Sequence, residues 1–342
     1  MGMTNTPLRN RLLFGFYVTL TLFVGLAALI WPGFRTLAYA PVRDLFFPNV
    51  FLPTRASTPV TLSVAAPPAL EAWVKAGAAE FTRQNPFVQV EVTQLRGLDA
   101  NRRLNTLSGQ ADVWIAEVDF ARVAAGAIPY QAQGAPLAQD VFLWVAVKSR
   151  SELAGNLGWQ TVARAAQSNP QFRVAMPPAN SLEGLAACWL AAADYHQSPA
   201  PSAAQVADPA FKQWLAALLL AAPDRSRSPR DQLSTRPPQA DAGLILSSDW
   251  NQLSPEAFNS QPPALNVVFN YPYYIRNNWP NLQPDEITAH QQAAASFQAY
   301  LLGAESQARL ADYGLQRASA PMQNQLPALE DAMIRALQVC WQ

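Results

Sequence analysis

The stretch TLSVAAPPALEAWVKAGAAEFTRQNPFVQVEV, at residues 61–92, decides the fold class. Its apolar residues first alternate, then recur at helical spacing, and finally alternate again, which predicts a strand, a helix and a second strand. Further strands are predicted at 111–118, 140–148, 172–176, 243–248 and 266–275, and further helices at 100–107, 161–167, 181–195, 211–221 and 286–313. Strands that alternate with helices predict an α/β fold with a largely parallel sheet covered on both faces.

Composition limits the classes of function. The chain has 342 residues, more than one hydrophobic core usually holds, so two compact lobes are expected. Its 24 basic residues balance its 24 acidic residues. Nucleic-acid binding needs a basic surface that displaces counterions from phosphates, so no nucleic-acid partner is expected.

The residues that usually carry catalysis or hold metals are scarce. Cys188 and Cys340 lie far apart in the sequence, and only His196 and His290 could serve as histidine ligands or bases. Neither a zinc site nor a disulfide framework is indicated. The motifs GxSxG and HExxH and the phosphate-binding P-loop are absent from the sequence. We therefore predict a protein that is not an enzyme and has no catalytic residue, metal site or cofactor.

The N-terminal segment predicts a membrane anchor. Residues 12–34 contain no charged side chain and are long enough to cross the ~30 Å hydrocarbon layer as a helix. Residues 1–11, with Arg9 and Arg11, are then a cytoplasmic tail, and 35–57 form a juxtamembrane linker. A cleavable signal peptide is the alternative, but its apolar core is usually only about 7–15 residues long. We expect a single-pass protein of the cell membrane with its folded domain outside the cytoplasm.

Five segments, taken in order, carry a resemblance to a known family. Besides residues 61–92 they are ADVWIAEVD at 111–119, APLAQDVFLWVAVKS at 135–149, VAMPPANSLEGLAACWL at 174–190 and FQAYLLGAESQARLADYGLQRAS at 297–319. The chain resembles the type 2 periplasmic, or extracellular, solute-binding proteins, whose domain also occurs fused to von Willebrand A modules. The resemblance implies a two-lobed α/β fold with mixed, mostly parallel sheets.

The resemblance also implies how the lobes are divided. Lobe one would contain 58–144 and 268–342, and lobe two 145–267, so the chain would cross between them twice. Two crossing segments form a hinge, and the ligand of such a fold lies in the crevice at the carboxyl ends of the strands.

One candidate ligand site is the start of the predicted helix at 181–195. Asn180, Ser181 and Gly184 could present free backbone N–H groups to an anion or a polar ligand. Asn180 or Ser181 could instead simply cap the helix. Pro67 ends the first predicted strand, where the family usually offers a serine or threonine hydroxyl. The missing hydroxyl, and the N–H that proline lacks, argue against tight oxyanion binding.

Other candidates follow later strands. Glu117 and Asp119 could present carboxylates to the crevice, or could be solvated loop residues. Ser248 and Trp250 follow the strand at 243–248 and would form part of a cleft wall. Tyr271, in the returning crossover, could contact a ligand or pack in the core. The arginine- and proline-containing stretch at 222–238 is interpreted as a solvated loop.

These features favour a receptor that captures a small molecule or ion between two lobes and passes it to an ABC-type transporter. The expected partners are that ligand, the membrane and transporter or membrane-complex subunits. The alternative is an accessory subunit of a membrane or cell-surface complex that uses the fold without transporting a ligand. A crevice filled by the protein's own side chains would favour this alternative.

Overall fold

The computed structural model describes residues 59–95, 111–117, 130–222, 224–318 and 331–341. The predicted cytoplasmic tail, membrane span and linker, at 1–57, and the predicted helix at 100–107 lie outside the described residues. All described residues belong to one compact unit, 56–342. Among them, no helix combines the length and the apolar character that a membrane crossing requires.

The described strands form two separate sheets, which are the cores of the two lobes. The strands are β1 (Val60–Ala66), β2 (Val88–Gln94), β3 (Val113–Ile115), β4 (Tyr130–Gln133), β5 (Gln139–Val147), β6 (Val174–Ala175), β7 (Ala242–Leu246), β8 (Phe258–Gln261), β9 (Val268–Asn270) and β10 (Tyr273–Arg276). The first sheet has the order β2-β1-β3-β10-β4, and the second has the order β6-β7-β5-β8, with β9 paired to β5.

Helices cover these sheets. They are α1 (Pro68–Gln84), α2 (Trp159–Ser168), α3 (Leu182–Tyr195), α4 (Ala203–Ala207), α5 (Pro209–Leu220), α6 (Pro229–Leu233), α7 (Ser247–Trp250), α8 (Pro284–Leu302), α9 (Ala304–Ala308) and α10 (Asp331–Trp341), with short 3-10 turns at Ser151–Leu153 and Leu310–Tyr313. The predicted helix at 286–313 is therefore divided into two helices and a turn, because Gly303 stops α8 in an extended conformation.

The first sheet confirms the strand–helix–strand unit at 61–92. β1 pairs in parallel with both β2 and β3, and its alternate residues Leu62 and Val64 are fully buried. α1 follows β1 directly and buries Trp73, Val74 and Phe81 on the core side. α8 packs against both β1 and α1, and Phe81 contacts Phe297 with ring centroids 5.3 Å apart. This packing fixes the end of β1 and the start of α1 at one edge of the sheet.

The sheets are mixed, but the prediction that they are mostly parallel is wrong for the described strands. β10 runs antiparallel to β3 and β4, and β5 runs antiparallel to β7, β8 and β9. Among the described strands, parallel pairing is confined to β1 with β2 and β3, and to β6 with β7. The reason is that β5, β9 and β10 carry the chain across between the lobes, and each enters its sheet against the direction of its neighbours.

The two crossing segments run side by side. The Leu137 N–H donates to the Tyr271 carbonyl at 2.9 Å, and the Tyr271 N–H donates to the Ala138 carbonyl at 3.1 Å. β5 then pairs with β9 through residues 139–141 and joins the second sheet from Phe142 onward. The crossing therefore occurs a few residues before the predicted boundary at 144, and the hinge is an antiparallel pair of strands.

The last helix differs from the predicted lobe division. α10 packs against α3 and α4 of the second lobe, whereas the family resemblance implies that 268–342 belongs to lobe one. α3 is buried from Leu182 to Ala193 except at Glu183, so it needs cover on several sides. Trp341 helps to supply that cover: its side chain is fully buried and its Nε1–H donates to the Pro177 carbonyl at 3.0 Å.

The same contact brings the two cysteines together. Cys188 on α3 and Cys340 on α10 are both buried free thiols, and they lie close enough to influence each other's pKa. Burial and the contact with Cys340 raise the pKa of the Cys188 thiol. Their separation in the sequence gave no sign of this proximity, because it depends on where α10 docks.

Candidate ligand-binding cleft

A cavity of about 120 Å³ lies between the two lobes. The first lobe contributes Pro68 and Ala69 from the start of α1, and Glu117 from just after β3. The second lobe supplies the rest of the lining: Phe142, Pro177, Pro178, Ser181, Glu183, Ser226, Ser228, Pro229, Arg230, Leu244, Ile245, Leu246 and Asp249. Both lobes therefore wall the cavity, which makes it the candidate ligand site.

Strand direction explains why these residues meet. β1 and β3 are parallel, so Ala66 and Ile115 end at the same edge of the first sheet, and α1 and Glu117 follow there. In the second sheet β7 ends at Leu246 and leads directly into α7, which carries Asp249. Carboxyl ends of strands are the usual ligand position in open α/β sheets. A larger groove of about 430 Å³ between α1 and β2 lies on one lobe only and lacks this placement.

Ser181 lines the cavity and caps α3 at the same time. Its Oγ accepts a hydrogen bond from the Gly184 N–H at 2.9 Å and donates to the Pro178 carbonyl at 2.8 Å. Asn180 is exposed, caps nothing and does not line the cavity. Ser181 therefore fits both interpretations of this helix start, ligand binding and helix capping. Its capping bond uses one of the N–H groups that a ligand would need.

Gly184 has a packing role next to the cavity. A Cβ atom at this position would lie 2.1 Å from the Pro178 carbonyl oxygen and 3.1 Å from Nε1 of Trp341. Only glycine allows the loop at 177–181 to approach α3 this closely. The loop forms one wall of the cleft, so Gly184 acts on the site through the loop's position.

We expect Gly184→Ala to lower the free energy of unfolding by about 1–2 kcal/mol, because overpacking costs ~1–3 kcal/mol and better helix propensity returns part of it. Chemical denaturation of the variant measures this loss. Gly158→Ala, at the N-cap of α2, is the control because a Cβ atom there would meet nothing within 4 Å. An unchanged midpoint for Gly184→Ala would show that the loop is not held at this distance.

The start of α1 offers few donors to a ligand. Pro67 occupies the N-cap without a side-chain capping bond, and its carbonyl accepts from the Leu70 and Glu71 N–H groups. Pro68 and Ala69 line the cavity, whereas Pro67 does not. Two successive prolines remove two backbone donors, as the sequence predicts.

Three other predicted site residues lie beside the cavity rather than on it. Ser248 is 2% exposed, and its N–H donates to Oδ1 of Asp140 at 3.3 Å. Trp250 packs on the small cluster that contains Ile245 and Phe258. Tyr271 is fully buried in the crossing segment. Asp119 lies outside the described residues.

A buried carboxyl group lies behind this wall. Asp140, in β5, is 0% exposed and accepts hydrogen bonds at Oδ1 from the Ser247 hydroxyl and the Val141 N–H. Burial raises the pKa of Asp140 to about 6, although these hydrogen bonds lower it in part. Among the described residues, its Oδ2 has no hydrogen-bond partner.

The loop at 222–238, predicted to be a solvated loop, supplies lining residues that sequence reasoning missed. Ser226, Ser228, Pro229 and Arg230 reach the cavity. Ser228 caps α6 by accepting from the Asp231 N–H at 3.1 Å, and Pro229 is the first residue of that helix. A serine followed by proline is a helix-start signal. Nothing in the sequence indicates that this short helix folds over the second sheet.

Two α/β lobes, paired crossing segments and a cavity at the strand ends define a solute-binding protein of the periplasmic type. The chain belongs to the bacterial extracellular solute-binding protein family, whose sequence model matches residues 62–316. No curated protein sequence matches the chain.

Solved structures share the fold at low sequence identity. The sulfate-binding protein SubI from Mycobacterium tuberculosis H37Rv has a TM-score of 0.55 and 16% identity, with 79% of this chain and 93% of that chain covered. A putative spermidine/putrescine ABC transporter from Listeria monocytogenes has a TM-score of 0.56 and 10% identity, with 82% and 97% covered. The Listeria monocytogenes ABC substrate-binding protein Lmo0181, in complex with cycloalternan, has a TM-score of 0.53 and 15% identity, with 81% and 86% covered. These structures support the fold and leave the ligand to be argued from the cleft.

Proposed function

We propose that this protein captures a small solute in the cleft between its lobes, outside the cytoplasm, and delivers it to an ABC-type transporter. The observation that carries the proposal is the cavity walled by both lobes, which an antiparallel two-strand hinge connects. A ligand that contacts both walls stabilises the closed arrangement of such lobes. Membership in the solute-binding family supports the same function.

We further propose that residues 12–34 anchor the protein in the cell membrane, with 1–11 in the cytoplasm and 35–57 as the linker. Support comes from the 23 uncharged residues at 12–34 and from Arg9 and Arg11 before them. A membrane tether would keep the receptor close to a membrane transporter, whereas an untethered receptor would diffuse away.

Thermal melting of the purified full chain, in detergent, tests solute capture. A panel of amines, amino acids, sugars, anions and metal ions is added one at a time. A solute at about 100 times its Kd should stabilise the domain by about 2.7 kcal/mol, through mass action. This corresponds to a rise in melting temperature of roughly 5–10 °C.

Two tryptophan substitutions on α1 make the result specific to the cleft. Ala69 lines the cavity, so Ala69→Trp should fill it and abolish the ligand-induced rise. Ala72 is exposed on the same helix, so Ala72→Trp should keep the rise. A panel without any effect would contradict the proposal and favour an accessory subunit that uses the fold without a ligand.

A further inference from the structure

The charges on the cleft wall are mostly negative. Among the described residues that line the cavity, three carboxylates, Glu117, Glu183 and Asp249, face one cationic side chain, Arg230. Arg230 is already engaged: its Nη2 lies 3.1 Å from Oδ1 of Asp231, and its Nη1 lies 3.5 Å from Oδ1 of Asp249. An anionic ligand would have to compete with these carboxylates for the guanidinium.

The helix start at the cleft adds to this bias. Glu183 lies in the first turn of α3, and its carboxylate meets the positive end of the helix dipole. Ser181 Oγ already occupies the Gly184 N–H, and Pro67 and Pro68 bring no N–H groups from α1. One of the N–H groups that an oxyanion would use at the start of α3 is therefore occupied, and two are missing at the start of α1.

The buried groups at and behind this wall are also acidic or hydrogen-bond acceptors. Burial is the main cause that raises the pKa of Asp249, and the negative groups Asp140, Glu183 and Asp231 raise it as well. Arg230 lowers the pKa in part, and the net value is about 7. Ser248 Oγ and Asp140 Oδ2 are buried without hydrogen-bond partners in the described part of the chain. Carboxyl groups are thus concentrated here, and a bound cation would favour their ionised forms.

The rest of the lining is hydrocarbon. Phe142, Leu244 and Leu246 from the second sheet, with Pro177 and Pro178, present apolar surface beside the carboxylates. A cavity of about 120 Å³ with this apolar lining suits a small molecule with a short aliphatic chain. The described residues contain no group of three or more His, Cys, Asp or Glu side chains that could hold a metal ion. The wall therefore fits an organic cation better than a bare metal ion.

We propose that the cleft binds a small aliphatic amine, with its ammonium group held by Glu183 and Asp249 and its hydrocarbon part packed against Phe142 and Leu246. This inference rests on the proposed function and specifies the chemical class of the solute. Ammonium–carboxylate hydrogen bonds in a partly dehydrated site are stronger than neutral ones.

Calorimetric titration of the full chain, in detergent, tests the inference. The probes are 1,4-diaminobutane and n-butylamine, compared with sulfate, molybdate and magnesium chloride. We expect the amines to bind and the other probes to give no heat of binding. Glu183→Gln and Asp249→Asn should each raise the amine Kd about tenfold or more, because a hydrogen bond to a charged group is lost. Glu256→Gln, on an exposed residue of the second lobe, is the matched control and should leave the Kd unchanged.

The amine affinity should also fall as the pH is lowered from about 8 to about 5.5. Asp249, with its pKa of about 7, gains a proton over this range and loses its charge. Asp140, whose pKa is about 6, also loses its charge over this range, which changes the affinity in the same direction. In the Asp249→Asn variant, the amine affinity should change less with pH in the range near pH 7.

Each outcome bears on the inference. Binding of sulfate, molybdate or magnesium while the amines are silent would overturn the amine inference and leave solute capture intact. If no probe binds in the titration and no compound of the melting panel has an effect, both the amine inference and the proposed solute capture would be overturned. Amine binding that neither carboxylate substitution weakens would also overturn the assignment. Glu183 is partly exposed and makes no ion pair with the described residues, so Glu183→Gln keeps the test valid if Asp249→Asn does not fold.

Discussion

Asp112→Ala is expected to lower the free energy of unfolding by about 3–5 kcal/mol, as removal of one member of a buried polar cluster does. Asp112 is 7% exposed, at the edge of β3. Its Oδ2 accepts from the Ser63 N–H at 2.9 Å, and its Oδ1 accepts from Nε1–H of Trp279 at 2.7 Å. Oδ1 also lies 3.2 Å from Nδ1 of His290 on α8. The carboxylate therefore ties two strands, a loop and a helix of the first lobe together.

Urea denaturation of the full chain measures this loss, with the exposed Asp312→Ala as the control. Burial raises the pKa of Asp112, but the contact with His290 and the hydrogen bonds from Ser63 and Trp279 together lower it below its ordinary value. A lowered folded-state pKa gives stability that is present above the ordinary pKa and is lost as the pH falls through the folded value. The gap between wild type and variant should therefore narrow only below about pH 4. A loss below about 1 kcal/mol at neutral pH would contradict this role.

Gly314→Ala is expected to cost about 3 kcal/mol. Gly314 has φ +72°, and a Cβ atom there would lie 2.4 Å from the Ser247 carbonyl oxygen and 2.7 Å from the Ser248 Cα. The left-handed conformation costs an alanine ~1 kcal/mol, and the clash adds ~1–3 kcal/mol. The Gly314 carbonyl accepts from the Ser247 hydroxyl at 2.9 Å, so the substitution also separates the segment after Leu310–Tyr313 from α7, beside Asp249.

Gly155 provides a matched control for this prediction. It has φ +78°, but a Cβ atom there would meet nothing within 4 Å. Gly155→Ala should therefore show only the conformational cost of ~1 kcal/mol. Denaturation curves of the two variants separate the clash from the backbone strain. Equal losses in both would show that the contact between Gly314 and α7 is loose.

Local features of the fold were predictable from the sequence. The strand–helix–strand unit at 61–92 is a periodicity pattern that depends only on neighbouring residues, and the helix predicted at 181–195 matches Leu182–Tyr195. Strand direction was not predictable in the same way. The antiparallel pairing of β5 and β10 depends on how the chain crosses between lobes, which the residues of these strands do not encode.

In the candidate site, too, the residues with local sequence signals were predictable and those placed by tertiary packing were not. Glu117 follows the end of a strand, Ser181 caps the start of a helix, and both line the cavity. Arg230 lines it from α6, a short helix whose position depends on its docking onto β6 and β7. α10 has an apolar face in its sequence, with Leu337 and Trp341 buried, but that face alone does not reveal which lobe it covers. Such tertiary choices decide which polar side chains reach the cleft.

A captured solute is expected to bind between the two lobes and to contact both. Amide hydrogen exchange of the full chain, measured with and without the solute that gives the largest rise in melting temperature, tests this expectation most directly. We predict slower exchange on both walls, at 69–71 of the first lobe and at 181–184, 228–231 and 244–249 of the second. Slower exchange confined to one lobe, or at segments away from these walls, would contradict the account.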